Sequence, residues 1–135
     1  MAAFSVEGAP VPKGSTRAFI PKGWSRPVIT AANPKTKTWE QQVRNRAIEE
    51  GFREEAGPFR VALRFILPRP KRLKVRRKHT TRPDVDKLAR CILDALTGVV
   101  WKDDAQVISL RASKRYAQPE EAPRVDIWVW GLDGL

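Results

Sequence analysis

Three aspartates lie close together in the most basic third of the chain. Asp84 and Asp86 are two residues apart, and Asp104 follows a stretch with helical periodicity, directly after Asp103. Carboxylate oxygens are the ligands that Mg²⁺ prefers, with water and substrate phosphate completing its shell. A metal ion held in this way activates water and relieves charge at a phosphodiester. These residue types therefore favour a metal-dependent nuclease over a passive DNA-binding protein.

The chain is strongly basic. Its 26 Lys and Arg residues against 15 Asp and Glu give a formal net charge of +11. Charge of this size concerns partners rather than fold, and it is typical of a protein that binds nucleic acid. The alternative interpretations are a ribosomal-type protein or a basic surface that serves solubility.

Two segments that we predict to be loops hold much of this charge. Residues 71–82 include seven basic residues and no acid, and their mutual repulsion favours a solvated loop or an interaction arm. Residues 8–33 contain many Pro and Gly breakers, which exclude a long regular element. An ordinary surface loop is the alternative for both segments. We predict DNA contacts from Lys13, Arg17, Lys22, Arg26, Lys71, Arg72, Lys74, Arg76, Arg77, Lys78 and Arg82.

Other kinds of site are poorly supported by the composition. Cys91 and His79 are the single residues of their types, which argues against a disulfide, a Cys-rich zinc site, a His-ligated metal and a Ser-His-Asp triad. Cys91 falls on the apolar face of a predicted helix, so we expect it in the core. No stretch approaches the roughly 18 apolar residues of a membrane span, and no signal peptide is apparent. We therefore expect no membrane association and a location in a reducing cytoplasm.

Hydrophobic periodicity indicates the elements that position the acids. Alternation predicts strands at Met1–Glu7, Phe59–Leu67, Val107 to about Tyr116 and Arg124–Trp130. Spacings of three and four predict helices from Pro34 to about Glu50, with a capping box of Thr38 and Gln41, and from Asp84 to Thr97. The order is β, loop, α, β, basic loop, α, β, β. It predicts a single α+β domain over residues 1–135, with two main helices on a mixed, mostly antiparallel sheet.

The acids also have a purely structural interpretation. Asp84 is a good helix N-cap, and Asp86 lies in the first turn, where the helix dipole favours negative charge. Asp86, Arg90 and Asp94 are spaced four apart and suit an exposed ion-pair ladder. Asp103 and Asp104 suit a turn. Spacing alone leaves both interpretations open, and the adjacent basic run favours the metal site.

Three segments, taken in order, resemble the RusA family of Holliday junction resolvases from bacteria and their phages. They are Arg82-Pro83-Asp84-Val85-Asp86-Lys87-Leu88, Leu93-Asp94-Ala95-Leu96-Thr97-Gly98 and Trp101-Lys102-Asp103-Asp104-Ala105-Gln106-Val107. The resemblance implies a homodimeric endonuclease that resolves four-way DNA junctions by paired symmetric nicks, using metal-activated water. It implies Mg²⁺ as the cofactor, with Mn²⁺ as a substitute.

The resemblance also implies roles for individual residues. Asp84, Asp86 and Asp104 match the metal-binding acids of the family, and Asp103 matches a further acid beside them. A lysine is typical six residues after the first acid, where this chain has Arg90, which keeps the charge but cannot lose a proton. Lys114, in the following strand, is the second candidate for the catalytic cation. Two alternatives stay open, namely a non-catalytic nucleic-acid-binding module and a nuclease that prefers other branched DNA.

Overall fold

The computed structural model describes residues 1–14, 16–20, 22–31, 34–73 and 77–132. The strands are β1 (Ala2–Glu7), β2 (Thr16–Phe19), β3 (Val28–Ala31), β4 (Phe59–Leu67), β5 (Val107–Tyr116) and β6 (Arg124–Gly131). The helices are α1 (Lys35–Glu49), α2 (Val85–Leu96) and a short 3₁₀ helix (Asp104–Gln106). This order confirms the predicted α+β class, with two main helices.

The main sheet has four strands in the order β1-β6-β4-β5. The β1–β6 and β6–β4 pairs are antiparallel, while β4 and β5 are parallel. A parallel pair needs a long crossover, and the segment containing α2 supplies it between β4 and β5. The sheet is therefore mixed and mostly antiparallel, as predicted, and β5 forms one of its edges.

One face of this sheet carries the core. Val61, Leu63 and Phe65 of β4 alternate with the more exposed Arg60 and Arg64, as the period of two predicts. Their apolar side chains join those of both helices in one buried cluster. From α2 this cluster takes Leu88, Ala89, Cys91, Ile92, Leu93, Ala95 and Leu96. The prediction that Cys91 packs in the core is confirmed.

The start of α1 differs from the prediction. The helix begins at Lys35, with Pro34 as the N-cap residue and no side-chain cap, so the predicted capping box of Thr38 and Gln41 is wrong. Pro34 has a φ of −68°, which is already helical, so the helix starts before the predicted cap. The buried Thr36 hydroxyl donates to the Pro12 carbonyl oxygen at 3.1 Å and ties the N-terminal loop to the helix start.

The segment predicted as a long irregular loop contains a short hairpin. Strands β2 and β3 pair antiparallel over four residues each and form a separate two-stranded sheet. No long regular element is present in the described part of this segment, which agrees with the Pro and Gly content. The β-branched run Val28-Ile29-Thr30 is the signal for a strand that sequence reasoning missed.

A carboxylate cluster fastens the connection between β5 and β6. Glu121 accepts two hydrogen bonds from the Arg115 guanidinium at 2.6 and 2.8 Å and one from the Gln118 backbone N–H at 2.9 Å. The Arg115 hydrogen bonds are the main reason that the pKa of Glu121 falls from 4.5 to about 2. Nearby, burial opposes the charge on Asp126, but hydrogen bonds from Ser5, Arg124 and Arg64 still lower the pKa of Asp126.

We predict that the Glu121 carboxylate stabilises the fold in a defined pH range. Because the folded pKa is depressed, its contribution is present above the ordinary value of 4.5 and is lost as pH falls towards 2. Glu121→Gln should lower the free energy of unfolding by about 1 to 2 kcal/mol at pH 7, and the difference should shrink between pH 4.5 and 2. Urea unfolding across this range checks it, with the exposed Glu120→Gln as control. An equal difference at pH 2 and pH 7 would contradict the assignment.

Candidate active site

Helix α2 presents two of the three predicted acids to solvent. Asp84 occupies the N-cap position with an extended backbone, as predicted, but its carboxylate makes no cap hydrogen bond. Its side chain is 51% exposed, and its ion pair with Lys87 is long, at 3.7 Å. Asp86 is exposed in the first turn. Both carboxylates therefore lie at the positive end of the helix dipole without a strong structural partner.

Arg90 brings the third acid to the same helix. Its guanidinium Nη1 donates to Asp104 Oδ2 at 2.8 Å and lies 3.7 Å from Asp94 Oδ1. Among the described residues, Asp86 has no ion pair, so the predicted ladder is formed only at its Arg90–Asp94 step. The contact with Asp104 crosses from α2 to the 3₁₀ helix that precedes β5, which no helical spacing predicts.

Asp103 holds the turn that carries Asp104. It is the N-cap residue of the 3₁₀ helix, and its carboxylate accepts from the Ala105 N–H at 2.9 Å. Gln106 completes a capping box by accepting from the Asp103 N–H at 3.1 Å. Its amide nitrogen also donates to the carbonyl oxygens of Glu55 and Gly57. Asp103 is thus engaged in local structure, and its role as a metal ligand stays a prediction.

Lys114 acts on the backbone that leads into Asp84. Its ammonium donates to the carbonyl oxygen of Thr81 at 2.7 Å and to that of Pro83 at 2.9 Å. Two residues further along β5, the ring of Tyr116 packs on His79, with 4.4 Å between ring centroids. Strand β5 therefore fixes the segment before α2. This geometry favours a positioning role for Lys114 over direct contact with the reacting atoms.

Lys13 joins the N-terminal loop to both helices. Its ammonium lies 2.8 Å from Glu40 Oε1 on α1 and 3.1 Å from Asp94 Oδ2 on α2, and its backbone N–H donates to the Lys87 carbonyl oxygen at 2.9 Å. The Glu40 hydrogen bond is the largest reason that the pKa of Lys13 is raised. Two carboxylates already balance this charge, so Lys13 is less available to phosphate than the exposed cations. Sequence reasoning missed Glu40.

The thiol near these charges is inert. Cys91 lies 3.7 Å from Glu40 and is fully buried. Burial is the main cause that raises the pKa of Cys91 to about 12. The thiol is therefore protonated at neutral pH, in agreement with a packing role.

A groove of about 630 Å³ opens beside Asp84. Its walls come from the loop at residues 9–14, from Lys35 and from the segment Arg82-Pro83-Asp84 with Lys87. Other predicted DNA-contacting residues are exposed, namely Lys22, Arg26, Lys71, Arg72, Arg77 and Lys78. Lys74, Arg76 and the side chain of Arg17 lie outside the described residues. The groove is thus lined by the basic residues Lys13, Lys35, Arg82 and Lys87, and its contact with DNA stays a prediction.

Comparison with known proteins identifies the family. The model of the family described as Endodeoxyribonuclease RusA matches residues 7–129. The chain belongs to the RusA family. It is also 32% identical over 141 residues to "Uncharacterized protein YqaN" of Bacillus subtilis (strain 168), and the alignment covers 93% of each chain.

Membership of the RusA family makes the protein an endodeoxyribonuclease and indicates Holliday junctions as its substrate. It favours the enzyme over a non-catalytic nucleic-acid-binding module. RusA-type resolvases generally depend on a divalent metal. No helix in the described ranges is long and apolar enough to cross a membrane.

The donor set of this RusA-family enzyme suits a hard metal ion in type. Asp84, Asp86 and Asp104 offer carboxylate oxygens, as Mg²⁺ requires. Their arrangement is open, because within the described ranges no three His, Cys, Asp or Glu side chains form a group that could hold a metal ion. Arg90 lies on Asp104 instead. The structure thus brings Asp104 to α2 but does not bring the three carboxylates together.

The Lys114 geometry generates a prediction. Lys114→Met keeps most of the length of the side chain and removes both hydrogen bonds to the turn before Asp84. We expect junction cleavage to fall by about 10²-fold, the cost of a small misplacement of a catalytic group, and amide hydrogen exchange at residues 79–84 to accelerate. Lys114→Arg should restore part of both. The exposed Lys102→Met is the control. If cleavage fell while exchange at 79–84 stayed the same, Lys114 would act on the reacting atoms instead.

Proposed function

We propose that this protein is a Mg²⁺-dependent endonuclease that acts as a homodimer and resolves four-way DNA junctions by paired symmetric nicks. The observation that carries the proposal is the 2.8 Å contact between Arg90 and Asp104. It attaches the third acid to the helix that has Asp84 as its N-cap residue and Asp86 in its first turn. Two acids at the start of α2 and a third in contact with the same helix, in an endodeoxyribonuclease family, suit phosphodiester hydrolysis.

The three acids would hold the metal ion, with Mn²⁺ as a substitute for Mg²⁺. When bound, the ion would supply activation of water and stabilisation of the departing 3′ oxygen. The carboxylates of Asp84 and Asp86 are not needed for a cap or a strong ion pair, so they are available as ligands. Asp103 would support Asp104 through the turn that it caps.

Arg90 would change partners during the reaction. When Asp104 serves as a metal ligand, the Arg90 guanidinium would leave this carboxylate and turn towards the scissile phosphate. Because an arginine cannot lose a proton at neutral pH, its contribution would be electrostatic stabilisation of developing charge. Its ion pairs are half exposed, so their exchange costs little.

The exposed basic residues would draw in the DNA arms. Phosphate contacts supply affinity through counterion release, and they carry no sequence information. Recognition would therefore concern the shape of the junction more than its sequence. A four-way junction has near two-fold symmetry and needs two nicks, and two identical sites in a C2 dimer would match it. The substrate would place the protein with the DNA of a bacterial or phage-infected cell.

We predict that Asp84→Asn separates cleavage from binding. Loss of an outer-shell partner already costs about 10- to 100-fold at metal sites, so loss of a ligand should reduce nicking by more than about 100-fold. Junction affinity in EDTA should be kept or increased, because a repulsive charge is removed. Gel assays of nicking and binding check this, with Glu120→Gln as a matched control for charge. Loss of binding together with nicking would make Asp84 a structural residue.

The substrate can be tested on the same preparation. Nicking of a four-way junction should occur with Mg²⁺, persist with Mn²⁺ and stop in EDTA, and the two nicks should be symmetric. Flaps, replication forks and linear duplex of equal length are the comparison substrates. Faster cleavage of a flap or fork than of the junction would favour a nuclease for other branched DNA.

We predict a steep dependence of binding on salt. If roughly six phosphates are contacted, junction affinity should fall by about 10³-fold between 50 and 200 mM NaCl. The double change Arg77→Ala and Lys78→Ala should reduce the slope of log affinity against log salt by about 2. The control is the double change Lys37→Ala and Arg53→Ala, which removes the same charge from exposed positions outside the two loops. It should reduce the slope by less than the Arg77 and Lys78 changes. A nearly flat salt response would contradict the role of the loops.

A further inference from the structure

Strand β5 has an open edge. It pairs with β4 on one side over its whole length, and no described strand pairs with its other side. Ile108 is 63% exposed and Leu110 is 44% exposed along it. An unpaired edge with exposed aliphatic side chains is a template for another strand. The opposite edge, β1, is shorter, and the outward side chains along it are the small or polar Ala3, Ser5 and Glu7.

The order of apolar and basic side chains along β5 allows two copies of this strand to pair with each other. A bulge at Ile108 marks its start, because Val107 pairs with Phe59 and Ser109 with Arg60. From Ser109 onward the strand is regular. In an antiparallel pair, residues directly opposite each other lie on the same face, where apolar pairs stabilise and like charges destabilise. These rules select how two copies of β5 could meet.

We infer that β5 pairs antiparallel with β5 of a second copy, with the two-fold axis at Leu110. The inference deepens the proposed function, on whose dimer it rests, by assigning the dimer surface. In this register Leu110 faces its own copy, Ile108 lies opposite Ala112, and Ser109 lies opposite Arg111. Between Val107 and Ser113 no two basic side chains face each other, since Arg111 lies opposite Ser109. The contact is the same from both sides, as a C2 interface requires.

Neighbouring registers fit less well. An axis at Arg111 places two arginines directly opposite each other, which is destabilising. An axis at Ala112 sets Leu110 opposite Lys114, whose ammonium is already held by the carbonyl oxygens of Thr81 and Pro83. An axis at Ser109 centres the contact at the bulged start of the strand. The axis at Leu110 joins apolar to apolar and basic to uncharged side chains, and its centre lies within the regular part of the strand.

The surface adjoins both parts of the candidate site. Val107 of one copy would lie opposite Ser113 of the other. The start of β5, which follows the 3₁₀ helix that begins at Asp104, would therefore approach the end of the second copy's β5. In each copy that end holds the turn before Asp84 through Lys114. Pairing at this edge would support both sites of the dimer.

Disulfide formation tests the register directly. Opposite residues of an antiparallel pair have Cα atoms about 4.5 to 5.5 Å apart, within the span that a disulfide bridges. Leu110→Cys should therefore form a covalent dimer under mild oxidation. Ser113→Cys should form little, because its two copies would be six residues apart in register, or about 20 Å. The native Cys91 is buried, and the pKa of its thiol is about 12, so it does not compete.

A second pair of variants tests the same surface without cysteine chemistry. Leu110→Asp places two carboxylates face to face across the axis, so sedimentation should show one chain instead of two. Ser113→Asp adds the same charge without an opposing copy and should stay dimeric. Circular dichroism should be native for both, because both positions are exposed.

Crosslinking and sedimentation need neither DNA nor metal, so their outcomes test the dimer surface separately from the proposed nuclease activity. A monomeric native protein, or crosslinking at Ser113 or at Ala3→Cys on β1 in place of Leu110, overturns the inference. A dimer crosslinked at Leu110 that cuts no junction overturns the proposed function alone. A monomer that cuts junctions would overturn the inference and the homodimer but leave the nuclease.

Discussion

The burial of one face of α2 is the constraint on which the candidate site depends. Leu88, Ile92 and Leu96 are fully buried, and each such side chain contributes about 1.5 to 3 kcal/mol. An exposed ion pair such as Arg90 with Asp104 contributes about 0 to 1 kcal/mol. Apolar packing therefore fixes the rotation of the helix, and the ion pairs follow from it. The acids face solvent because the opposite side of the helix belongs to the core.

This division between strong packing and weak ion pairs suits the proposed chemistry. Lys13 and Arg90 link the N-terminal loop, both helices and the 3₁₀ helix through carboxylates whose side chains are 20 to 34% exposed. Contacts of this kind can exchange partners without unfolding anything. Glu121 differs from these carboxylates, because hydrogen bonds from the Arg115 guanidinium and from the Gln118 backbone N–H hold it in one place in the fold. The candidate site therefore combines weakly paired charged side chains with a backbone that is fixed by apolar packing.

Sequence reasoning reached what local periodicity encodes and missed what depends on contacts between distant segments. The period of α2 placed Cys91 in the core and Asp84 at the N-cap, and alternation gave β4. Asp103 and Gln106 have the three-residue spacing of a capping box, which is a local signal for the 3₁₀ helix. Sequence reasoning assigned Asp103 only the roles of a turn residue and a metal ligand, and so missed this signal. The contacts of Arg90 with Asp104 and of Lys114 with Thr81 span 14 and 33 residues, and no helical or strand periodicity predicts contacts at such separations. The order of the strands was also needed to see that β5 is an edge.

The position of β5 links the site to assembly. Because α2 is carried on a parallel crossover, β5 lies beside β4, and no described strand pairs with its other side. Natural edge strands are usually shortened, bulged or charged to prevent unwanted pairing. The bulge here sits at the first residues, while Leu110 remains exposed within the regular part. The same strand holds the turn before Asp84 through Lys114. A partner on this edge would therefore stabilise the strand on which the geometry of the acids depends, and that coupling would favour cleavage by the assembled pair over cleavage by a lone chain.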